Sequence, residues 1–225
     1  VTGVQTCALP ILYERDIESI TMEDCFIYGI MIANGNANQE TNTFSVVSSP
    51  EIINHIKNYL KKRMIFYKAT EDAIVWEKSN LLPFRYNTMF DVTNDRRIPV
   101  SYLNLPVKKC EQIIKGFLQS ITKYANNFVF SITSFKLLEN IRYILLKMGI
   151  PTSGEVCKNT IVGNIVDSYI INIPFTDKLL NLKYGDLETE EKLIPEYFTN
   201  DFKNSYINHN NLIYSPITSI NKITY

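Results

Sequence analysis

The sequence predicts an α+β fold built from two similar halves. Three observations carry that expectation. The 225 residues are 45% hydrophobic and 20% charged, enough apolar material for a packed core. Two segments 85 residues apart read alike, NTFSVVSSPEIINHIKNYL from Asn42 and NFVFSITSFKLLENIRYILL from Asn127. Each is preceded by a short apolar helix containing a glycine, around Gly29 and Gly116.

Each repeat opens as an alternating strand and then offers a hydroxyl where a helix would be capped, Ser48-Ser49 opposite Thr133-Ser134. An apolar stripe at helical spacing follows. Ile52, Ile53, Ile56, Tyr59 and Leu60 face Leu137, Leu138, Ile141, Ile144 and Leu145. The glycines are 87 apart, so a loop difference of two residues reconciles the two offsets. Strands are expected over 65–69, 73–76 and 84–91 in the first half, and over 153–156 and 160–173 in the second. Pro99 disfavours helix before it and punctuates the boundary. A helical connector is expected from 174 to about 198, then a strand-like tail.

Residues 1–11, VTGVQTCALPI, lack an initiator Met and any charge, and they resemble a translated sequencing adapter. They are set aside from the fold argument. The remaining organisation is 12–22 as a connector, 23–99 and 100–183 as the two halves, and 184–225 as a connector leading into a further segment.

The chain is neutral overall, which excludes a uniformly basic nucleic-acid coat. Its charge is nevertheless segregated. Residues 51–185 hold 19 Lys+Arg against 11 Asp+Glu, while both flanks are acidic. Lys61, Lys62, Arg63, Arg96 and Arg97 suit phosphates; solvated helix faces carry such clusters too. Arg85, Tyr86 and Asn87, on an expected strand, could reach base edges, and Lys158, Asn159 and Thr160 form the comparable expected loop of the second half. Cys7, Cys25, Cys110 and Cys157 are scattered, with only His55 and His209 as histidines, so no structural metal cage is expected and the chain reads as reduced and intracellular. No apolar run approaches the ~20 residues of a membrane helix.

The glycine helices IYGIMIANG and IKGFLQSIT resemble the two signature helices of the LAGLIDADG homing endonucleases, particularly the dodecapeptide type carried inside inteins. RRIPVSYLNLPVKKCEQIIKGF is similar to that family's passage into its second signature helix, and FVFSITSFKLLENIRYILLKMGI to the strand and helix beyond. The resemblance runs from about 24 to 181. It implies two pseudo-symmetric αββαββα-type halves packed through Gly29 and Gly116, a monomer with an internal two-fold. It also implies double-stranded DNA as partner, and two carboxylates that bind Mg2+ for phosphodiester hydrolysis in active members.

At those two carboxylate positions stand Asn34 and Ile121. A hard divalent cation needs anionic oxygen ligands to offset its dehydration, so no metal cofactor is expected and cleavage is expected to be lost. The tail ITSINKITY resembles re-entry into an intein's splicing fold, which would make the host protein a covalent partner by in-frame insertion. His209-Asn210 has no nucleophile after it and reads as a loop. A non-catalytic DNA- or RNA-binding relative of the maturase kind is the alternative, and an unrelated α+β interaction protein a third reading.

Overall fold

Helix α1 (Met22–Asn34) is buried almost all round: Cys25, Ile27, Tyr28, Gly29, Ile30, Met31 and Ile32 are all inside, which makes it a core element and not a surface one. The computed structural model describes residues 5–8, 14–119, 123–124, 127–150, 152–161, 164–174, 207–209 and 212–215. These fall into two compact units, 13–185 and 1–12 with 186–225.

In the larger unit, Thr21 caps α1 by a reciprocal box: Asp24 N–H donates to the threonine hydroxyl, and the Thr21 N–H donates to the Asp24 carboxylate at 2.8 Å. Strands β2 (Gly35–Asn38) and β3 (Thr43–Val47) follow, then α2 (Pro50–Lys62), β4 (Tyr67–Ala69), β5 (Ala73–Glu77) and the short helix α3 (Tyr86–Met89). The four strands form an antiparallel sheet of order β2-β3-β5-β4.

The second half repeats the plan. After a helical turn, α4 (Val100–Leu103), come α5 (Val107–Gln119), β6 (Lys123–Tyr124), β7 (Asn127–Ile132), α6 (Phe135–Lys147), β8 (Ser153–Ile161) and β9 (Asn164–Pro174). Its sheet order is β6-β7-β9-β8, again antiparallel and strand for strand the same. Helices α2 and α6 begin and end 85 residues apart, and all five expected apolar pairs are buried. The first hairpins share one register at the 85-residue offset, Asn38 opposite Thr43 matching Lys123 opposite Phe128, so the two-residue difference lies between each glycine and its hairpin and not in the hairpin turn.

α1 and α5 pack side by side, and the glycines explain how closely. A Cβ added to Gly29 would lie 2.0 Å from the Ile113 carbonyl oxygen; one added to Gly116 would lie 2.0 Å from that of Phe26. Ile113 precedes Gly116 by three residues, as Phe26 precedes Gly29, so the contact is reciprocal about a pseudo-two-fold. Backbone touches backbone, and no side chain fits.

Three expectations are corrected. The segment 84–91 is not a strand: the Thr88 hydroxyl accepts from Arg85 N–H at 2.9 Å and donates to its carbonyl at 2.7 Å, closing a turn into α3. The first-half strand expected at 65 begins at Tyr67, because Ile65 N–H bonds back to Leu60 O and finishes α2. In the second half β8 runs to Ile161 and β9 begins at Asn164, so Lys158, Asn159 and Thr160 lie within β8 and not in a loop; Lys158 is opposite Asp167 in register.

In the smaller unit, β1 (Gln5–Ala8) pairs antiparallel with β11 (Leu212–Ser215), which also pairs with β10 (Ile207–His209). The segment set aside in the sequence thus contributes a strand, through backbone groups that any non-proline residue carries. His209 closes β10 instead of lying in a loop, while Asn210 and the connector expected from 174 to 198 lie outside the described residues beyond Pro174.

Candidate nucleic-acid interface

The exposed face of the first sheet follows from strand alternation. In β2 the burial pattern places Gly35 and Ala37 inside and Asn36 and Asn38 outside. Register then lines Asn36 up with Ser45, Val75 and Lys68 across the four strands, and Asn38 with Thr43 and Glu77. Amides, hydroxyls and a lysine on a sheet face are groups that read base edges and neutralise phosphates. Of these, the sequence singles out only Lys68, as part of the basic run from Lys57 to Lys68, and none of the neutral residues. The signal was present in the polar alternate positions of GNAN and TFSVV, which a search for basic clusters passes over.

Most of the expected phosphate contacts are already engaged. Arg63 donates to Asp24 Oδ1 at 2.8 Å and reaches Glu23 at 3.5 Å, with its guanidinium 3.9 Å above the Tyr59 ring. Tyr59 donates its hydroxyl to the same Asp24 oxygen at 2.6 Å. Lys62 pairs with Glu23 at 2.9 Å. These contacts fasten the start of α1 to the end of α2, so Arg63 and Lys62 are structural. Glu23 is held below the usual carboxylate range; burial opposes this, but the hydrogen bonds and charges of Lys62 and Arg63 outweigh it. Lys61 is exposed and makes no ion pair among the described residues; it lines a cleft of about 400 Å³ with His55 and Asn58. Burial lowers the pKa of His55, whose ring meets the Phe26 ring edge-on.

Arg96 is also engaged. Its guanidinium donates to the carbonyls of Ile32 at 2.9 Å, Met31 at 3.3 Å and Gly35 at 2.5 Å, around the C-terminus of α1, where the Gly35 N–H also donates to Met31 O. A cation there also balances the negative end of the helix dipole. Burial lowers its pKa, and its carbonyl accepts from the Ser134 hydroxyl that caps α6, so the linker is tied to both halves. Arg97 donates to Asn87 O at 3.3 Å, and its Nε is buried with no partner among the described residues. Arg85 is the N-cap residue of α3, its guanidinium donating to the carbonyls of Leu82 and Phe84. Tyr86 stacks on Phe90 at 4.9 Å, and Asn87 follows in the helix. The side chains of Lys158 and Asn159 lie outside the described residues.

At the end of α1, Asn34 is exposed and Gly35 terminates the helix. Ile121 lies outside the described residues. The donor set at this helix end does not fit a divalent cation: Asn34 offers a neutral amide, and a guanidinium already occupies the carbonyls of Ile32 and Gly35. Among the described residues no group of three or more His, Cys, Asp or Glu could hold a metal ion. Two thiols are equally unsuited to chemistry, since burial pushes Cys25 up to about 12 and Cys110 up to about 11. Among the described residues no helix is long and apolar enough to cross a membrane.

No known protein-family profile matches the chain, and no curated protein matches it in sequence. Solved structures do. Mesophilic variants of the homing endonuclease I-DmoI superpose with a TM-score of 0.50 at 12% identity, covering 74% of this chain and 97% of theirs. I-DmoI in complex with DNA and calcium gives 0.50 at 12% identity over 80% and 97%. The N-terminal LAGLIDADG domain of WhiA covers 77% of this chain and 83% of its own at 12% identity, with a looser TM-score of 0.44. At such identities the likeness speaks for architecture: two halves, one glycine-to-glycine helix axis and two matching antiparallel sheets give this chain the fold of the LAGLIDADG homing endonucleases.

Proposed function

We propose that this chain binds double-stranded DNA and does not hydrolyse it, as a homing-endonuclease domain that has lost its metal site. The single observation behind this reading is the end of α1, where Asn34 stands without negative charge and the Arg96 guanidinium holds the neighbouring carbonyls. Mg2+, which the family resemblance implies, would supply an activated water and stabilise a leaving oxygen. Here the C-terminal end of the first helix offers it no anionic ligand. The sheet face with Asn36, Asn38, Ser45 and Lys68 needs no metal to meet a duplex. I-DmoI, whose fold is similar, is described in complex with DNA, which supports the choice of partner. An in-frame intein insertion, acting as a monomer inside the cell, is the setting that the sequence of the tail favours.

The test is binding of the purified chain to a random-sequence duplex across a salt series, with Mg2+ or EDTA. Affinity falls linearly in log salt, because each neutralised phosphate releases counterions. It is the same in Mg2+ and EDTA, and the duplex stays intact. Metal-dependent cutting, or no binding at low salt, would overturn the reading. Asn34→Asp alone leaves the protein unresponsive to Mg2+ in thermal denaturation, since one carboxylate is too little anionic donation for a hard cation and Arg96 holds the nearby carbonyls of Ile32 and Gly35.

A further inference from the structure

One cleft in the first half is unlike the rest of the surface. It measures about 510 Å³, within the range of roughly 300–1,000 Å³ typical of small-molecule sites. It lies between the β2–β3 turn and α3. Ala37 and Phe44 line it with apolar surface. The Phe44 ring is fixed from behind by Trp76 at 5.9 Å and Phe84 at 6.1 Å. Four amides complete the lining: Asn38, Gln39 and Asn42 from the turn, and Asn87 from α3.

The hydrogen-bonding capacity of those amides is largely unspent. Asn38 Oδ1 accepts from Thr41 N–H at 2.9 Å. The side chains of Gln39, Asn42 and Asn87 make no hydrogen bond to other described residues. Tyr86 contributes a ring with one face on Phe90. Two cations stand here as well. Lys78 is exposed and has no ion-pair partner among the described residues, and Arg85 is held in place by backbone carbonyls. None of the residues lining the cleft is acidic, whereas the cleft beside Lys61 includes Glu23.

This is the chemistry of a nucleotide: the half-buried Tyr86 ring for a base over a floor of buried Phe44 and Ala37, amides for its edge, cations for its phosphate. An amide offers donor and acceptor together and pairs bidentately with adenine. Stacking on an aromatic side chain adds about 1–3 kcal/mol for any base. A concave site of this size takes one base with its phosphate and excludes a base pair stacked between neighbours. We infer that the cleft between the β2–β3 turn and α3 binds a single unstacked nucleotide, adenine preferred. In the setting of the DNA-binding reading, on which this inference rests, that nucleotide is one displaced from the duplex at the edge of the contacted site.

The test uses the full chain and two probes, with binding to a random duplex measured in parallel. Free dAMP is titrated while amide and side-chain NMR resonances are followed. Separately, a duplex carrying one bulged 2-aminopurine is titrated and its fluorescence read. The cleft predicts saturable dAMP shifts at Asn42, Tyr86 and Asn87. Asn87→Leu and Lys78→Gln each weaken that binding by roughly tenfold, the cost of one lost bidentate or charged contact. Lys78 is exposed, so its variant reports even where Asn87→Leu disturbs the fold. The two variants also reduce the 2-aminopurine response, which identifies the polynucleotide as source; a dAMP response without it identifies a free nucleotide, and the cleft assignment stands. Inorganic phosphate reproducing the dAMP shifts, or dAMP shifts insensitive to both variants, overturns the inference. So does silence towards dAMP with duplex binding intact, and that result leaves the DNA-binding reading standing. Loss of all duplex binding at low salt removes that reading instead.

Discussion

Helices α2 and α6 occupy equivalent places 85 residues apart, bury the same five apolar positions, and then treat their polar neighbours in opposite ways. In the first half a carboxylate is buried: Asp24, 3% exposed, meets Tyr59 and Arg63. At the same offset the second half has Ile144 and Met148 in place of those two partners, and it buries a cation. Lys147 Nζ donates to Leu105 O at 2.5 Å and lies 3.7 Å from Glu14, while its counterpart Lys62 is exposed. The outer strands differ too, three and five residues in β4 and β5 against nine and eleven in β8 and β9. The apolar frame and the glycine axis therefore carry the fold. The polar contacts and the length of the outer strands were free to diverge.

The largest effect should come from what the halves share. Gly29→Ala and Gly116→Ala each drive a methyl into a carbonyl at 2.0 Å, so helix must move from helix. Overpacking costs about 1–3 kcal/mol where side chains can yield, and backbone cannot, so about 3 kcal/mol or loss of folding is expected. Urea denaturation checks this. Because the contact is reciprocal, the two variants should be similarly damaged, and a mild Gly116→Ala would break the symmetry argument.

A smaller effect tests what the halves do not share. Arg63→Met copies the second half at Met148 but leaves Asp24 buried without its cation, held by the Tyr59 hydroxyl and the hydroxyl and N–H of Thr21. Removing one partner of a fully buried pair costs about 3–5 kcal/mol, and partial exposure of Arg63 lowers this to about 2 kcal/mol. Adding Asp24→Asn should recover part of the loss, because the unpaired charge goes with it. A double-mutant cycle by chemical denaturation measures the coupling, and strictly additive losses would show that the clamp is not a unit.

The same contrast explains what could be read in advance. The apolar pairs from Ile52/Leu137 to Leu60/Leu145 and the two glycines were legible because helical spacing and a mid-helix glycine are local signals. The turn at Thr88 was not, since Phe84, Met89 and Phe90 are buried around a side-chain hydrogen bond that alternation cannot register. Arg63 and Arg96 read as free cations because their partners lie 39 and 61–65 residues away in sequence. Charge clusters reveal that a cation is present and not whether it is spent. The candidate interface was legible only in its basic content, and its amide-bearing face emerged once register was known.

Helix capping offers a finer comparison. The Ser134 hydroxyl accepts from Leu137 N–H and donates to Arg96 O, whereas the Ser49 side chain makes no capping bond to α2. Ser134→Ala should therefore cost about 1–2 kcal/mol and Ser49→Ala only a few tenths, about what an unused cap position carries. Thermal melts of the two variants decide it, and equal losses would contradict the difference in geometry.

The smallest predicted effect is a gain. Both α2 and α6 end in a left-handed residue whose successor bonds back into the helix: Gly149 at φ 80° is followed by Ile150 N–H to Leu145 O, and Met64 at φ 54° by Ile65 N–H to Leu60 O. Glycine takes that conformation without a Cβ clash, while an L side chain there costs about 1–2 kcal/mol. Met64 is 85% exposed, so nothing packed is lost with its side chain. Met64→Gly should stabilise the chain by about 0.5–1 kcal/mol, the strain relieved less the extra unfolded-state entropy of glycine. Gly149→Met should cost more than the first change gains, because Gly149 is half-buried at a φ of 80°, so the new side chain needs room that the exposed Met64 does not. If Met64→Gly is neutral or harmful in equilibrium denaturation, the two helix ends are alike in trace only, and Met64 is held by something the second half lacks.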